Sequence, residues 1–370
     1  MPSTPSFTIN TLGCKVNQYE SQLMRESLIR YGFIEAGNGQ PADYCLVNSC
    51  TVTHKADRDT RNLINRFHRI SPNGKIAVIG CYAELDSDRS ALMSIPGVAY
   101  LVKNNEKERI SDILAGDYSH KTPDMGRAAA LLGGLPIAVS GRTLCGMNPQ
   151  SQITDFKDRN RVFIKVQDGC DFKCSYCKVS RVRGPSRSRG VDDILSEVKR
   201  LLERGFKEIV LTGICLGGWG KEFAFKEGPH RAGKTGLADL VKKISCVKGS
   251  FRIRLSSIEP THVTDDIIRV LKEDDKVCKH FHIPLQSGDD RVLRAMNRPY
   301  TAKYFRQIMQ KIRKHIPDAA VTTDVLVGFP AEDKKSFLHT LKFVEGVRPS
   351  RIHVFSYSVR EGTGAARLSY

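Results

Sequence analysis

Three thiols stand within one short run, CDFKCSYC, at Cys170, Cys174 and Cys177. Thiolate is a soft ligand for zinc and iron, so a single loop presenting three of them is suited to a metal. Four cysteines would close a tetrahedral zinc site or ligate every iron of a cubane. Three leave one iron of a [4Fe–4S] cluster without a protein ligand and open to a small molecule. A zinc loop or a disulfide framework would use the same residues. The chain holds 11 cysteines, opens on MPSTPSFTIN with neither a basic cluster nor an apolar leader, and shows no apolar run long enough to cross a bilayer. The expected setting is a reducing cytoplasm with no membrane, where thiols are ligands or buried hydrophobes.

A second set of thiols is dispersed. Cys14 follows the strand-like FTINTLG, Cys50 ends YCLVNSC, and Cys81 ends KIAVIGC. Helical patterns follow the first two runs, one from about Tyr19 to Tyr31 with Leu23, Leu28 and Ile29 inward, the other through Leu63, Ile64 and Phe67. Strands alternating with helices imply a parallel sheet, whose ligand sites lie beyond the carboxyl ends of its strands. Cys14, Cys50 and Cys81 are therefore expected at one edge. A cysteine after an apolar strand can also be a small buried hydrophobe, and Cys45, inside its strand, reads that way. A fourth strand at Tyr100 to Val102 with its helix completes an α/β domain over residues 1–118. The Gly-, Pro- and Ser-punctuated stretch 119–159 reads as a connection in which Cys145 has no assignment.

Residues 160–370 carry six further strand-like runs. They are Arg161 to Gln167, Glu208 to Thr212, Phe251 to Leu255, His280 to Pro284, Ala320 to Pro330 and Arg351 to Tyr357. Helical patterns separate them, as in VDDILSEVKRLLERG with Ile194, Val198, Leu201 and Leu202 on one face. This is the signature of an incomplete (β/α)6 barrel resembling part of a TIM barrel, with its active site on the carboxyl-end loops. The first run feeds directly into Gly169 and the thiol loop. LTGICLGGWG, with Thr212 and Gly213, offers backbone that a ligand can approach closely. RLSSIEP offers Arg254, Ser256, Ser257 and Glu259 for a ribose or carboxylate. HIPLQSG brings Gln286 and Ser287, and TDVLVGFP brings Asp324 and Gly328; His282 and Asp324 read equally well as satisfied barrel residues. RVRGPSRSRG sets Arg181, Arg183, Arg187 and Arg189 beside the mouth, where they could contact RNA phosphates, bind a cofactor carboxylate or form a solvated run. Lys and Arg number 58 against 40 Asp and Glu, and a formal charge of +18 points to a polyanionic partner, nucleic acid first.

With Tyr176 just before its last cysteine, the C-x3-C-x2-C loop resembles the radical S-adenosylmethionine (SAM) superfamily, in which the open iron chelates SAM. The chain as a whole resembles the radical SAM methylthiotransferases, through TLGCKVNQYES, NSCTVT, IGCYAE, GCDFKCSYC, RGPSRSR, LTGICLGGWG, RLSSIEP, HIPLQSG, MNRPYT, TDVLVGFP and HVFSYSVREGTGAA in that order. GCKVNQYES is similar to the branch acting on N6-threonylcarbamoyladenosine at position 37 of tRNA.

The resemblance implies two [4Fe–4S] clusters. One, on Cys170, Cys174 and Cys177, cleaves SAM to methionine and a 5′-deoxyadenosyl radical. The other, on Cys14, Cys50 and Cys81, carries sulfur, accepts a methyl group from a second SAM and delivers methylthio to carbon 2 of adenine. From their place on the carboxyl-end loops, cofactor contacts are expected from Tyr176, Thr212, Gly213, Arg254, Ser256, Gln286 and Asp324, and RNA contacts from Arg181, Arg183, Arg187 and Arg189. The partners are the tRNA anticodon stem-loop, an electron donor and a sulfur source. The small C-terminal β domain of family members, called TRAM, is expected to be absent from a chain that stops at Tyr370. Cys215 and Ala331 stand where the family usually has Asn and Gly. The rival readings are methylthiolation of isopentenyladenosine tRNA or of a ribosomal protein, and a non-enzymatic iron–sulfur RNA-binding protein.

Overall fold

Residues 4–119, 153, 160–226 and 236–368 are described in the computed structural model, and the chain divides into two units, Met1–Asp155 and Phe156–Tyr370. Apart from Ser119 and Ile153, the stretch read as a connection, with Cys145, lies outside the described residues.

The first unit contains β1 (Ser6–Thr11), α1 (Lys15–Arg30), β2 (Ile34–Glu35), β3 (Tyr44–Ser49), α2 (His54–Ile70), β4 (Lys75–Gly80), α3 (Asp86–Met93), β5 (Val98–Val102) and α4 (Ile110–Ser119). The strands form one sheet in the order β2-β1-β3-β4-β5, with every pairing parallel. Such a sheet is covered on both faces, and β3 accordingly buries all six of its residues. Phe7, Leu46 and Ile79 pack with Met24 and Leu28 on one side, and Val47 and Val78 pack with Ile64 and Phe67 on the other.

Helix α1 starts at Lys15, directly after Cys14, and not near Tyr19. Tertiary bonds set this start: the Asn17 side chain donates to the carbonyls of Leu12 and Ser49 at 2.8 and 2.9 Å. The helix buries polar residues that apolar periodicity could not place. Glu20 forms a buried 2.5 Å ion pair with Lys107, whereas Ile29, expected inside, is 47% exposed.

The second unit runs β6 (Arg161–Asp168), α5 (Val179–Arg183), β7 (Arg187–Ser188), α6 (Val191–Glu203), β8 (Glu208–Gly213), α7 (Lys221–Lys226), α8 (Leu237–Ser245), β9 (Arg252–Leu255), α9 (Asp265–Glu273), β10 (His280–His282), α10 (Asp290–Ala295), α11 (Ala302–His315), β11 (Ala320–Val327), α12 (Lys334–Val347) and β12 (Arg351–Ser356). Its ladders are β7-β6-β8-β9 and β10-β11-β12, linked by parallel bridges Ile253 to Val277 and Ser257 to His282. Six strands therefore run parallel around an open barrel, as the six-fold alternation predicted. β7 is a two-residue antiparallel addition to β6. Ile194, Val198 and Leu201 of α6 are buried against the barrel.

Candidate iron–sulfur and cofactor site

Strands β1, β3 and β4 are neighbours, and each is followed by one of the dispersed thiols. Thr11 pairs with Asn48 and Ser49 with Gly80, so Cys50 and Cys81 leave adjacent strands at the same level. Cys14 lies at the turn into α1. Its neighbour Gly13 has φ +95°, and a Cβ there would sit 2.9 Å from the Cys50 sulfur. Only glycine allows the two thiol-bearing turns to approach this closely. The Ser49 hydroxyl fastens the other pair, donating to the Ile79 carbonyl at 2.7 Å and accepting from the Tyr82 N–H at 3.1 Å. Cys50 and Cys81 are buried, and Cys14 is exposed. The structure thus brings these three cysteines to one sheet edge.

The loop from Cys170 to Cys177 leaves the carboxyl end of β6. Gly169 has φ +73°, and a Cβ on it would overlap the Pro185 carbonyl oxygen at 1.9 Å. The buried Gln167 side chain locks this corner. Its amide N–H groups donate to the Asp168 and Gly169 carbonyls, both at 2.8 Å, and to the Ser186 hydroxyl at 2.9 Å. Its oxygen accepts from the Cys215 N–H at 2.7 Å, which ties the glycine loop after β8, with Thr212 and Gly213, to the thiol loop. The far end of the loop is pinned by Ser175, whose N–H donates to Met296 and whose carbonyl accepts from Ala365, and by the Asn297 side chain on the Lys173 carbonyl at 2.7 Å.

Arg298 completes the arrangement. One guanidinium nitrogen donates to the Cys174 sulfur at 3.0 Å, another is paired with Glu259, and Nε donates to the Tyr300 hydroxyl at 3.1 Å. Neither Gln167 nor Arg298 was recognised as functional from sequence. Gln167 is one polar residue at a strand end, and Arg298 lies in MNRPYT without periodic or ligand-like spacing, so nothing local marked them.

Burial pushes the Cys177 thiol up to about 12, and burial also raises Cys174 against the opposing effect of Arg298. Cys170 is lowered by its hydrogen bond with Cys215, whose own thiol is raised by that bond and by burial. Burial raises the Glu259 carboxyl, with Arg298 opposing it. His262, beside Cys215 at 3.8 Å, is held down at about 4 by burial and by Lys221.

Of the other expected cofactor residues, Ser256 is buried, and its hydroxyl has no partner among the described residues. A buried orphan hydroxyl is costly unless a ligand satisfies it. Tyr176 packs edge-on against Phe329 at 6.5 Å. Gln286 holds an unusual positive φ of 66° and exchanges backbone hydrogen bonds with β11. Asp324 lies between two histidines: its Oδ2 is hydrogen-bonded with His282 Nε2 at 3.1 Å, whereas its Oδ1, 3.3 Å from His353 Nδ1, is buried without a hydrogen-bond partner among the described residues.

Arg254 is a correction. Its guanidinium binds Glu208, the first residue of β8, at 2.7 Å, at the opposite end of the strands from the thiol loop. A long side chain in a strand can reach along the barrel either way, and here a carboxylate draws it to the amino end.

The four arginines of RVRGPSRSRG also separate. Arg183 is buried against Asp168 at 3.3 Å, and Arg189 is buried against Glu197 at 2.6 Å and the Lys165 carbonyl. These two are internal ties and not phosphate contacts. Arg187 is partly exposed, 3.9 Å from Asp168, and Arg181 is exposed against Gly362. Replacing Arg189 by Ala strands the buried Glu197 carboxylate, so unfolding free energy is expected to fall by about 3–5 kcal/mol. Denaturant unfolding checks this; normal stability with weakened tRNA binding would return Arg189 to an RNA role.

The donor chemistry fits iron–sulfur clusters. No disulfide links the described cysteines, so all six thiols are available as ligands. Tetrahedral zinc would hold its sulfurs only about 4 Å apart. Among the described residues, however, the sole ligand group with all atoms within 4.8 Å is His282, Asp324 and His353. The two thiol sets are spread more widely, as a polynuclear cluster requires.

Residues 164–344 match the radical SAM superfamily, and residues 6–102 match uncharacterized protein family UPF0004. The chain is 36% identical to the threonylcarbamoyladenosine tRNA methylthiotransferase MtaB of Bacillus subtilis, over 97% of this chain and 75% of that protein. It is 37% identical to MtaB of Thermotoga maritima, over 97% and 76%. The tRNA-2-methylthio-N(6)-dimethylallyladenosine synthase of Acetivibrio thermocellus is 32% identical, over 98% and 72%. In fold, the chain is similar to the radical SAM methyltransferase TsrM of Kitasatospora setae, at TM-score 0.62 and 12% identity over 95% of this chain and 73% of that one. No helix among the described residues is long and apolar enough to cross a membrane. The chain belongs to the radical SAM tRNA methylthiotransferases, transferases whose cofactors are SAM and [4Fe–4S] clusters.

Proposed function

We propose that this chain converts N6-threonylcarbamoyladenosine at position 37 of tRNA to its 2-methylthio derivative. Cys170, Cys174 and Cys177 would hold the SAM-binding cluster, and Cys14, Cys50 and Cys81 the auxiliary one. The observation that carries the reading is the placement of two separate three-thiol sets, each at the carboxyl end of parallel strands. The substrate follows from the GCKVNQYES block and from relatives named for threonylcarbamoyladenosine at 36 and 37% identity, against 32% for the Acetivibrio thermocellus dimethylallyladenosine synthase.

When bound, SAM and the clusters supply the carbon radical and the sulfur. The chain's residues hold and insulate them. Gln167 fixes the entry of the thiol loop, and Arg298 places a positive charge against the Cys174 sulfur, where it offsets the negative charge of a thiolate-ligated cluster. The orphan Ser256 hydroxyl and the glycine backbone after β8 are suited to polar groups of SAM. The reaction also needs an electron donor and a sulfur source.

Arg298→Lys keeps a charge but loses the fork that reaches sulfur and carboxylate together. It is expected to retain iron, lower the reduction potential of the SAM-side cluster and slow 5′-deoxyadenosine formation roughly tenfold. Redox titration by electron paramagnetic resonance reads the potential; an unchanged potential would remove Arg298 from this role.

The substrate is tested by mass spectrometry of tRNA nucleosides and ribosomal peptides from cells with and without the gene. Loss of 2-methylthio-N6-threonylcarbamoyladenosine alone is expected. Loss of the isopentenyladenosine derivative, or of a methylthiolated ribosomal peptide, would overturn the substrate assignment.

A further inference from the structure

The arginines beside the thiol loop leave the tRNA without much of its expected grip, since Arg183 and Arg189 are internal. A different cationic surface stands on α2. This helix begins at His54, shortly after Cys50, so its first turn lies by the sheet edge that carries Cys14, Cys50 and Cys81. Its 17 residues span roughly 25 Å. The inner stripe is Thr60, Ile64 and Phe67, all buried. On the outer arc every exposed residue is a cation, a histidine or an asparagine: Lys55, Arg58, Asn62, Asn65, Arg66 and Arg69, with His54 and Arg61.

Helical spacing of three and four residues gathers these on one face. The two carboxylates of the helix, Asp57 and Asp59, flank this arc and are only partly exposed, and Asp57 accepts from Thr51 at 2.9 Å. Among the described residues, Lys55, Arg58, Arg66 and Arg69 have no ion pair or hydrogen bond. Some cations elsewhere are engaged, as on α11, where Lys311 is paired with Asp265 and Arg313 donates to the carbonyls of Val347 and Arg348. Arg61 adds orientation by donating to the Tyr82 hydroxyl at 2.9 and 2.6 Å, which joins the helix to the residue after Cys81.

We infer that the exposed face of α2 is a phosphate-tracking surface for the tRNA substrate, holding the stem or loop backbone beside the target base. This rests on the reading of tRNA as substrate and adds the surface that grips it. A row of unpaired guanidinium and ammonium groups with interleaved amides, free of carboxylates and apolar side chains, matches a polyanionic backbone. Phosphate contacts of this kind position the nucleic acid without reading its sequence. The same face offers little to a protein partner, whose interface core would be depleted of charge.

The test uses the cluster-reconstituted enzyme and a fluorescent anticodon stem-loop RNA, with affinity measured from low to moderate salt. A variant with Lys55, Arg58, Arg66 and Arg69 all changed to Gln keeps good helix formers at exposed positions. It is expected to bind roughly 10- to 100-fold more weakly and to lose about one unit of log–log salt slope for each phosphate contact removed. SAM cleavage without RNA and iron content should stay at wild-type levels. The charge-keeping variant Arg58→Lys, Arg66→Lys, Arg69→Lys should bind close to wild type. Equal binding and equal salt slope in the Gln variant would overturn the surface alone. A wild-type enzyme with no salt-dependent RNA binding overturns the tRNA reading and the surface together.

Discussion

Cys174→Ala is expected to abolish 5′-deoxyadenosine formation from SAM and, with it, all methylthiolation. Outer partners of metal ligands are each worth about 10- to 100-fold, so loss of a ligand should cost more than that. The surroundings deepen the effect. Arg298 donates to this sulfur at 3.0 Å and is paired with Glu259, so removing the thiol also leaves a buried guanidinium bond unmade. Reconstituted wild type should carry about eight irons for two cubanes, and the variant about four. Iron analysis and chromatography of the SAM cleavage products check both numbers. A variant with full iron content and wild-type 5′-deoxyadenosine output would remove Cys174 from the cluster.

Cys50→Ala is expected to separate the two halves of the chemistry. Cys50 belongs to the first unit, directly after β3, the strand between β1 and β4, whereas the thiol loop belongs to the second. Its loss should leave SAM cleavage largely intact while lowering methylthio product by more than roughly 100-fold. Iron should again fall by about half. The pair of variants thus gives opposite signatures in one assay. Methylthio product made by Cys50→Ala at the normal rate would sink the assignment of the dispersed triad.

Much of this was legible from the chain. Alternating apolar runs and amphipathic helices predicted the parallel sheet and the six-strand barrel, because strand burial and helix period leave strong local patterns. The three cysteines after β1, β3 and β4 could be placed at one edge without coordinates, since parallel strands all present their carboxyl ends the same way. Side-chain partners were not legible. Arg181, Arg183, Arg187 and Arg189 looked alike in sequence, yet Asp168 and Glu197 hold two of them inside. Arg254 looked like a residue of the barrel mouth until Glu208 was seen to draw it away. The cations of α2 carry no local mark of function, because a charge on a helix reads as surface whatever its partners.

Spacing and period were enough for the barrel class and for the grouping of six cysteines into two sets of three, and the resemblance of the motif blocks was enough for the family. These follow from covalent chemistry and from patterns a few residues long. Tertiary structure alone decided which arginines are internal, why Gly13 and Gly169 must be glycine, and that Gln167 and Arg298 bind the thiol loop to its surroundings. It also decided that Cys50 and Cys81 leave adjacent strands at the same level. Each of these depends on contacts between residues distant in the chain, and such contacts exist only once the strands have found their register.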